Sequence, residues 1–188
     1  TSELPELPKG WAWVRLGEVC EFEYGKGLRV DKRDSSGNIP VYGSNGVVGY
    51  HSSYLVNSPC IIVGRKGAAG QVHFSKSPCW PIDTTYYILP PQQLNISLLF
   101  YLLTSLKLEK LDKSTAIPGL NRNDAYNHII PLPPLPEQHK IVEEIERRFS
   151  IADEIEKVID NSLKQAERLR QSILKKAFEG KLVPQDPN

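Results

Sequence analysis

"IIVGRKGAAGQVHF", residues 61 to 74, decides the fold, because its spaced glycines and its Arg-Lys pair admit two readings. One is the phosphate cradle of a nucleotide enzyme. The Walker pattern needs Gly, four residues, then Gly-Lys-Ser/Thr, and no such run occurs. The dinucleotide fingerprint G-x-G-x-x-G fails too, since Arg65 stands where its first glycine belongs. Both motifs also need a helix N-terminus after the loop to receive the phosphate. Here "QVHF" alternates like a strand. The pattern has a twin in "VYGSNGVVGYH", where Gly43, Gly46 and Gly49 repeat the spacing of Gly64, Gly67 and Gly70. Two successive strand–turn–strand units are turn chemistry of a β domain, in which glycine supplies the positive φ that tight turns require. The nucleotide reading is rejected.

Working outward, residues 39 to 90 supply short bursts, "IPVY", "VVGY", "CIIVG", "QVHF" and "TTYYIL", separated by Gly, Pro, Asn and Ser. Such spacing predicts a meandering antiparallel sheet. Residues 1 to 10 read as a flexible lead-in, and "WAWVRLGEVCEFEYG" opens the folded part with Val14 and Leu16 as core positions. "NISLLFYLLTSLKLEKL", 95 to 111, carries apolar residues on most helical faces and predicts a largely buried helix. "DKSTAIPGLNRNDAYN" predicts a loop turning into a short helical piece near 122, and "HIIPLPPLP" a strand with a proline-stiffened exit.

Beyond that exit the character changes. From Glu137 to Glu179 there is neither Pro nor Gly. Ile145, Ala152, Ile159, Ala166 and Ile173 recur every seventh residue, with Ile141, Arg148, Ile155, Ser162 and Leu169 at the companion position. This is a coiled-coil seam, imperfect at Arg148 and Ser162, on a helix about 60 Å long at ~1.5 Å per residue. Pro136 suits its first turn and Gly180 its end. A helix of this length needs a partner helix, and the chain predicts no second one.

Composition narrows the function. The 188 residues suit one ordinary domain with an extension, and mean hydropathy of −0.35 predicts a soluble protein. No apolar run approaches the ~20 residues that span a bilayer, and the start lacks a secretory layout. Cys20, Cys60 and Cys79 are odd in number with no C-x-x-C, which predicts reduced, buried thiols in a cytoplasmic setting. His51, His73, His128 and His139 form no metal spacing. No G-x-S-x-G elbow occurs, "EGK" at 179 to 181 lacks an upstream acidic partner, and "PLPPLP" has neither the polar nor the aromatic flank of a methyltransferase tetrapeptide. No active site and no cofactor or metal site is predicted.

What remains is a binding module. Between residues 24 and 76 stand seven Lys or Arg against two Asp, a balance of +5 within a chain of net charge +1. Charge so divided suggests an anionic partner for this part. The glycine loops carry Ser44, Asn45, Arg65 and Lys66; "EYGKGLRVDKR" adds Tyr24, Lys26, Arg29 and Arg33; "TAIPGLNRND" adds Asn121 and Arg122. Arg and Lys suit phosphates and guanine edges, and Asn suits adenine, so jointly these loops are plausible readers of double-stranded DNA. Any one of them alone is more simply a solvated turn residue.

The stretches "LPKGWAWVRLGEVCEF" at 7 to 22, "IIVGRKGAAGQV" at 61 to 72, "IPGLNRNDAYNHIIPLPPLPEQHKIVEEIE" at 117 to 146 and "LRQSILKKAFEGKLVPQDPN" at 169 to 188 carry a resemblance. The chain resembles the specificity subunit of type I restriction-modification enzymes over essentially its full length. That resemblance implies a target recognition domain reading one half of a split DNA site, followed by a helix serving as spacer and docking surface. It gives most support to Arg65, Lys66, Asn121 and Arg122. It implies no catalysis by the chain: modification subunits would methylate adenine with S-adenosylmethionine, and a restriction subunit would cut DNA with ATP and Mg. The family's usual two domain–helix repeats pair their helices antiparallel. This chain carries one, which implies a half-size subunit that dimerises or a fragment; the missing methionine and the ending at "PQDPN" favour a fragment.

The expected fold class is α+β: a small mixed, mainly antiparallel β recognition domain with short helices over 1–135, a long coiled-coil-forming helix over 136–180 and a tail over 181–188. The helix is expected to pair as a homodimer through Ile145, Ala152, Ile155, Ile159, Ala166, Leu169 and Ile173. The alternative is a structural assembly module whose helix binds partner proteins while the domain is inert toward DNA.

Overall fold

The computed structural model describes residues 4–34, 36–111 and 119–184. The first three residues of the expected lead-in, the "TAIP" of the loop before Gly119 and the final "QDPN" lie outside the described residues. The chain divides into two units, Thr1–Val142 and Glu143–Asn188.

The first unit is built on three small sheets. Strands β1 (Ala12–Arg15) and β9 (Ile129–Leu132) pair antiparallel, with Val14 opposite Ile130. A four-stranded antiparallel sheet runs β2-β8-β5-β6, from β2 (Glu23–Tyr24), β8 (Thr85–Ile88), β5 (Cys60–Gly64) and β6 (Val72–Ser75). The third sheet runs β4-β3-β7, from β4 (Gly46–His51), β3 (Ile39–Gly43) and β7 (Trp80–Pro81). The twin glycine motifs therefore form the β3–β4 and β5–β6 hairpins, and a strand follows the Arg65-Lys66 loop as expected. The meander is not wholly antiparallel: β7 lies parallel to β3, with Val41 opposite Trp80.

Strand β5 explains the continuous apolar run. All five of its residues are buried, and successive side chains point to opposite faces. Ile61 and Val63 enter the main core with Leu16, Phe22, Ile88, Leu99 and Leu103. Cys60 and Ile62 enter a second, smaller core with Val56 and Cys79. A strand covered on both faces needs no polar alternation.

Helix α2 (Ile96–Ser105) contributes Leu98, Leu99 and Leu103 to the main core. The Asn95 side chain caps it by accepting from the Ser97 and Leu98 N–H groups at 2.9 and 3.2 Å. The α-helix is shorter than the expected 95–111. Lys107 adopts φ +52°, and Leu108–Leu111 follow as a 3-10 turn that returns Leu108 to the core at 1% exposure. Short helices α1 (Leu16–Val19) and α3 (Arg122–Tyr126) complete the unit. The described part of the lead-in is held: the Trp13 indole donates to the Pro5 carbonyl at 3.1 Å.

Helix α4 (Leu135–Phe178) starts inside the first unit. Its Gln138 is 1% exposed and fully used. Its amide oxygen accepts from Asn95 N–H at 2.7 Å, and its amide nitrogen donates to the Gln93 and Pro133 carbonyls at 3.0 and 2.9 Å. Trp11 donates to the Glu137 carboxylate at 3.1 Å, and Ile141 and Val142 pack on the main core. From Glu146 to Phe178 every residue of the helix is exposed. The helix ends as expected, with Gly180 at φ +67°.

Candidate nucleic-acid interface

The glycine loop is clamped at its base. Gly70 N–H donates to the Gly64 carbonyl at 2.8 Å, while the Arg65 and Lys66 N–H groups both donate to the Thr84 carbonyl at 2.9 and 3.1 Å. The segment before α3 runs alongside: Lys66 bridges Gly119, and Leu120 N–H donates to the Arg65 carbonyl at 2.9 Å. The β3–β4 turn is tied to the same loop by the Ser44 hydroxyl, which donates to the Lys66 carbonyl at 2.6 Å. His73 on β6 hydrogen-bonds the Ser44 carbonyl through Nε2 at 3.2 Å. Residues 44, 66 and 119–122, remote in sequence, thus share one loop cluster.

Its centre is Tyr24, whose side chain is 54% exposed. The guanidinium carbons of Arg65 and Arg122 lie 5.4 and 5.1 Å from its ring centroid, within cation–π range. Each guanidinium is also anchored. Arg65 donates through Nε and Nη2 to the Asp83 carbonyl, and Arg122 donates through Nη1 to the Phe22 carbonyl at 3.1 Å. Behind Tyr24 an aromatic series leads inward, through Tyr86 at 5.2 Å to Phe22 and Tyr126. The Tyr86 hydroxyl donates to the Leu120 carbonyl at 3.1 Å, fixing the approach to α3.

The remaining candidates sit differently. Asn121 caps α3 by accepting from Asn123 N–H at 2.9 Å. Asn45 is exposed in the β3–β4 turn beside Ser44. The Lys26 main chain is held by the Trp80 indole at 2.8 Å and the Pro81 carbonyl at 3.0 Å, with its side chain exposed. Arg33 lies along β4, donating to Val48 at 2.9 Å and to Leu28 at 3.3 Å. Arg29 pairs with Asp31 at 3.1 Å, both well exposed, a contact that holds neither firmly. Arg29 and Arg33 share no hydrogen bond with the Tyr24 group among the described contacts. The sequence names Tyr24 beside Lys26, Arg29 and Arg33 in one loop stretch; its convergence with positions 65 and 122 has no local signature beyond an aromatic among basic residues.

Among the described residues no group of three His, Cys, Asp or Glu could hold a metal. A cleft of about 630 Å³ beside the glycine loop is lined largely by Gly67–His73, with Thr104 and Glu109 across it. Burial pushes the Cys20 thiol up to about 12. Cys60 and Cys79 face each other at 3.4 Å, and the hydrogen bond with Cys79 together with burial pushes Cys60 up as well. Burial disfavours the reactive thiolate form at Cys20 and Cys60. Tyr87 is raised to about 12 by burial and by donating to Glu23 at 2.7 Å. No described helix is long and apolar enough to cross a membrane.

In the second unit the seam positions are bare. Ile155, Ile159, Leu169 and Ile173 are 43–62% exposed, and Phe149, Ile151, Val158, Leu163 and Leu174 are 46–64% exposed. Ala152 and Ala166 are exposed between them, and Ile145 is partly covered.

The family model described as type I restriction modification DNA specificity domain matches residues 8–165. The specificity subunit of the Escherichia coli type I restriction enzyme EcoDI is 28% identical over 200 residues, covering 98% of this chain and 45% of its own length. The EcoBI specificity subunit of the same species is 39% identical over 104 residues, covering 55% of this chain and 22% of its own length. A chain solved in a study of complex assembly and conformational transition of the type I R-M system superimposes with TM-score 0.82 at 26% identity, over 97% of this chain and 49% of its own. The HsdS subunit of Thermoanaerobacter tengcongensis gives 0.70 at 25% identity, over 95% and 47%. The chain thus spans about half the length of the EcoDI subunit and of both solved chains. With a match over most of its residues and this fold, the chain belongs to the type I restriction modification DNA specificity domain family.

Proposed function

We propose that the first unit reads double-stranded DNA sequence and thereby directs adenine methylation and cleavage by modification and restriction subunits of a type I system. The observation that carries this is the gathering of Arg65, Arg122, Lys66 and Ser44 into one clamped loop cluster around Tyr24, in a chain of the DNA specificity family. Arginines anchored on backbone carbonyls present their remaining N–H groups in fixed directions, which suits base edges; Lys66 and Lys26 on mobile stems suit phosphates. Arg29, Arg33, Asn45 and Asn121 extend the same reading along β4 and α3. The chain itself supplies no catalysis in this account. S-adenosylmethionine, ATP and Mg would belong to the partner subunits.

The exposed seam of α4 is assigned to assembly. Leaving several aliphatic side chains wet is unfavourable by roughly 1.5–3 kcal/mol each. A second copy paired antiparallel would cover it and place a recognition unit at each end, as reading a split site requires.

The test is duplex binding by the full chain across a salt series. A steep fall of affinity with salt is expected, its slope following the phosphates neutralised. Replacing Arg65 and Lys66 together by Ala should cost about 1–3 kcal/mol and flatten the slope. Unchanged affinity and slope in that double variant would remove the glycine loop from the interface.

A further inference from the structure

We infer that Tyr24 is a positioning residue for sequence readout: its ring converts Arg65 and Arg122 into a single paired-guanidinium reader of the acceptor edge of a purine, guanine O6/N7 being the best match. The inference rests on the DNA reading proposed above and goes beyond it by separating the residue that aims from the residues that touch.

The geometry is specific. An arginine has five N–H donors. Arg65 uses Nε and Nη2 on one carbonyl, and Arg122 uses Nη1 on another, so each keeps donors for a partner. Both cations face one ring, at 5.4 and 5.1 Å. Two like charges repel; the ring's π cloud and the two carbonyls offset that repulsion and restrict both side chains. The ring is itself seated by the β2–β8 pairing, where Tyr24 opposes Tyr86, and by the Tyr86 ring. A flexible cation is sufficient for a phosphate. Bidentate readout of a base edge instead depends on a guanidinium of fixed plane. Tyr24 also contributes little to the core, since it is half exposed on a two-residue strand and outside the buried cluster. Its cost in ordering two long side chains is therefore better explained by recognition than by folding.

The experiment uses the full chain and a duplex library with a randomised core, with one fixed duplex lacking the enriched motif for salt titration. The wild type should enrich a motif. Tyr24→Leu should lower that enrichment about tenfold, the cost of one lost bidentate contact. It should leave the salt slope on the fixed duplex unchanged, because no charge is removed. Tyr24→Phe should restore enrichment, since the ring and not the hydroxyl does the aiming. All three should stay fully folded at the assay temperature, with Tyr24→Leu losing only the few degrees of thermal midpoint that its ring contacts account for. Full enrichment by Tyr24→Leu, failure of Tyr24→Phe to restore it, or a changed salt slope would overturn the inference. A wild type that enriches nothing would instead overturn the DNA reading beneath it.

Discussion

The same residue type meets opposite fates on either side of Val142. In the first unit Ile61, Ile62, Ile88 and Ile130 are at most 1% exposed; in the second, Ile155 and Ile159 are 54% and 52% exposed. The first unit buries most of its aliphatic side chains internally, even to the point of covering both faces of β5, although Val30, Val47 and Ile129 stay 47–75% exposed. It spends its polar and basic residues on loops. The second unit presents an apolar seam that nothing in the chain's own second unit covers. One region buries its core within itself; the other exposes its apolar positions from Glu146 to Phe178.

The comparison breaks most sharply at Ile159. As a seam residue it should tolerate Asp in a lone helix but not in a paired one, where an unpaired charge would be buried. Sedimentation equilibrium should show a dimer that Ile159→Asp weakens by about 3–5 kcal/mol, while helical content is retained. A strict monomer for the parent chain, with α4 fully formed, would assign the seam to a different partner.

Next in size is Gly70. It sits buried at φ +80°, and a Cβ there would run into the backbone of Leu108 and Glu109. Gly70→Ala should destabilise the first unit by about 2–3 kcal/mol in denaturant unfolding. Gly67, at φ +78° in the same loop, faces only the Ser44 hydroxyl at 3.6 Å among the described residues. Its Ala variant should cost only the backbone term, about 1 kcal/mol. Equal losses would mean that packing against the 3-10 turn does not hold the loop.

The smallest effect lies on the helix. Arg147 and Arg148 grip Glu144 and hold its carboxyl down to about 2, against an ordinary 4.5. A lowered folded value means the pairing is present above about 4.5 and is lost as pH falls through about 2. NMR titration of the Glu144 side chain should give that midpoint, moving back toward 4.5 when both arginines are replaced by Ala. An unmoved midpoint would show that the arginines are not its cause.

Much of this was legible in the sequence. Two glycine hairpins and the long helix follow from local spacing, because turns and helical periodicity are encoded within a few residues. The family resemblance was legible for the same reason. What could not be read locally depends on chain segments meeting. The parallel β3–β7 contact rests on two residues, Trp80 and Pro81. The early end of α2 follows from the need to return Leu108 to the core. Tyr24 became a centre only because positions 22, 65, 83 and 122 converge on it and on its neighbours. Gln138 looks like any helix-start glutamine until Gln93, Asn95 and Pro133 surround it.

The most direct measurement of the central claim is the methylome of cells expressing this chain with its modification subunits. The account predicts adenine methylation at a split motif that appears only when the chain is present and whose half-site alters when the Tyr24, Arg65 and Arg122 cluster is replaced. Methylation of the same motif without the chain, or a motif indifferent to that cluster, would contradict it.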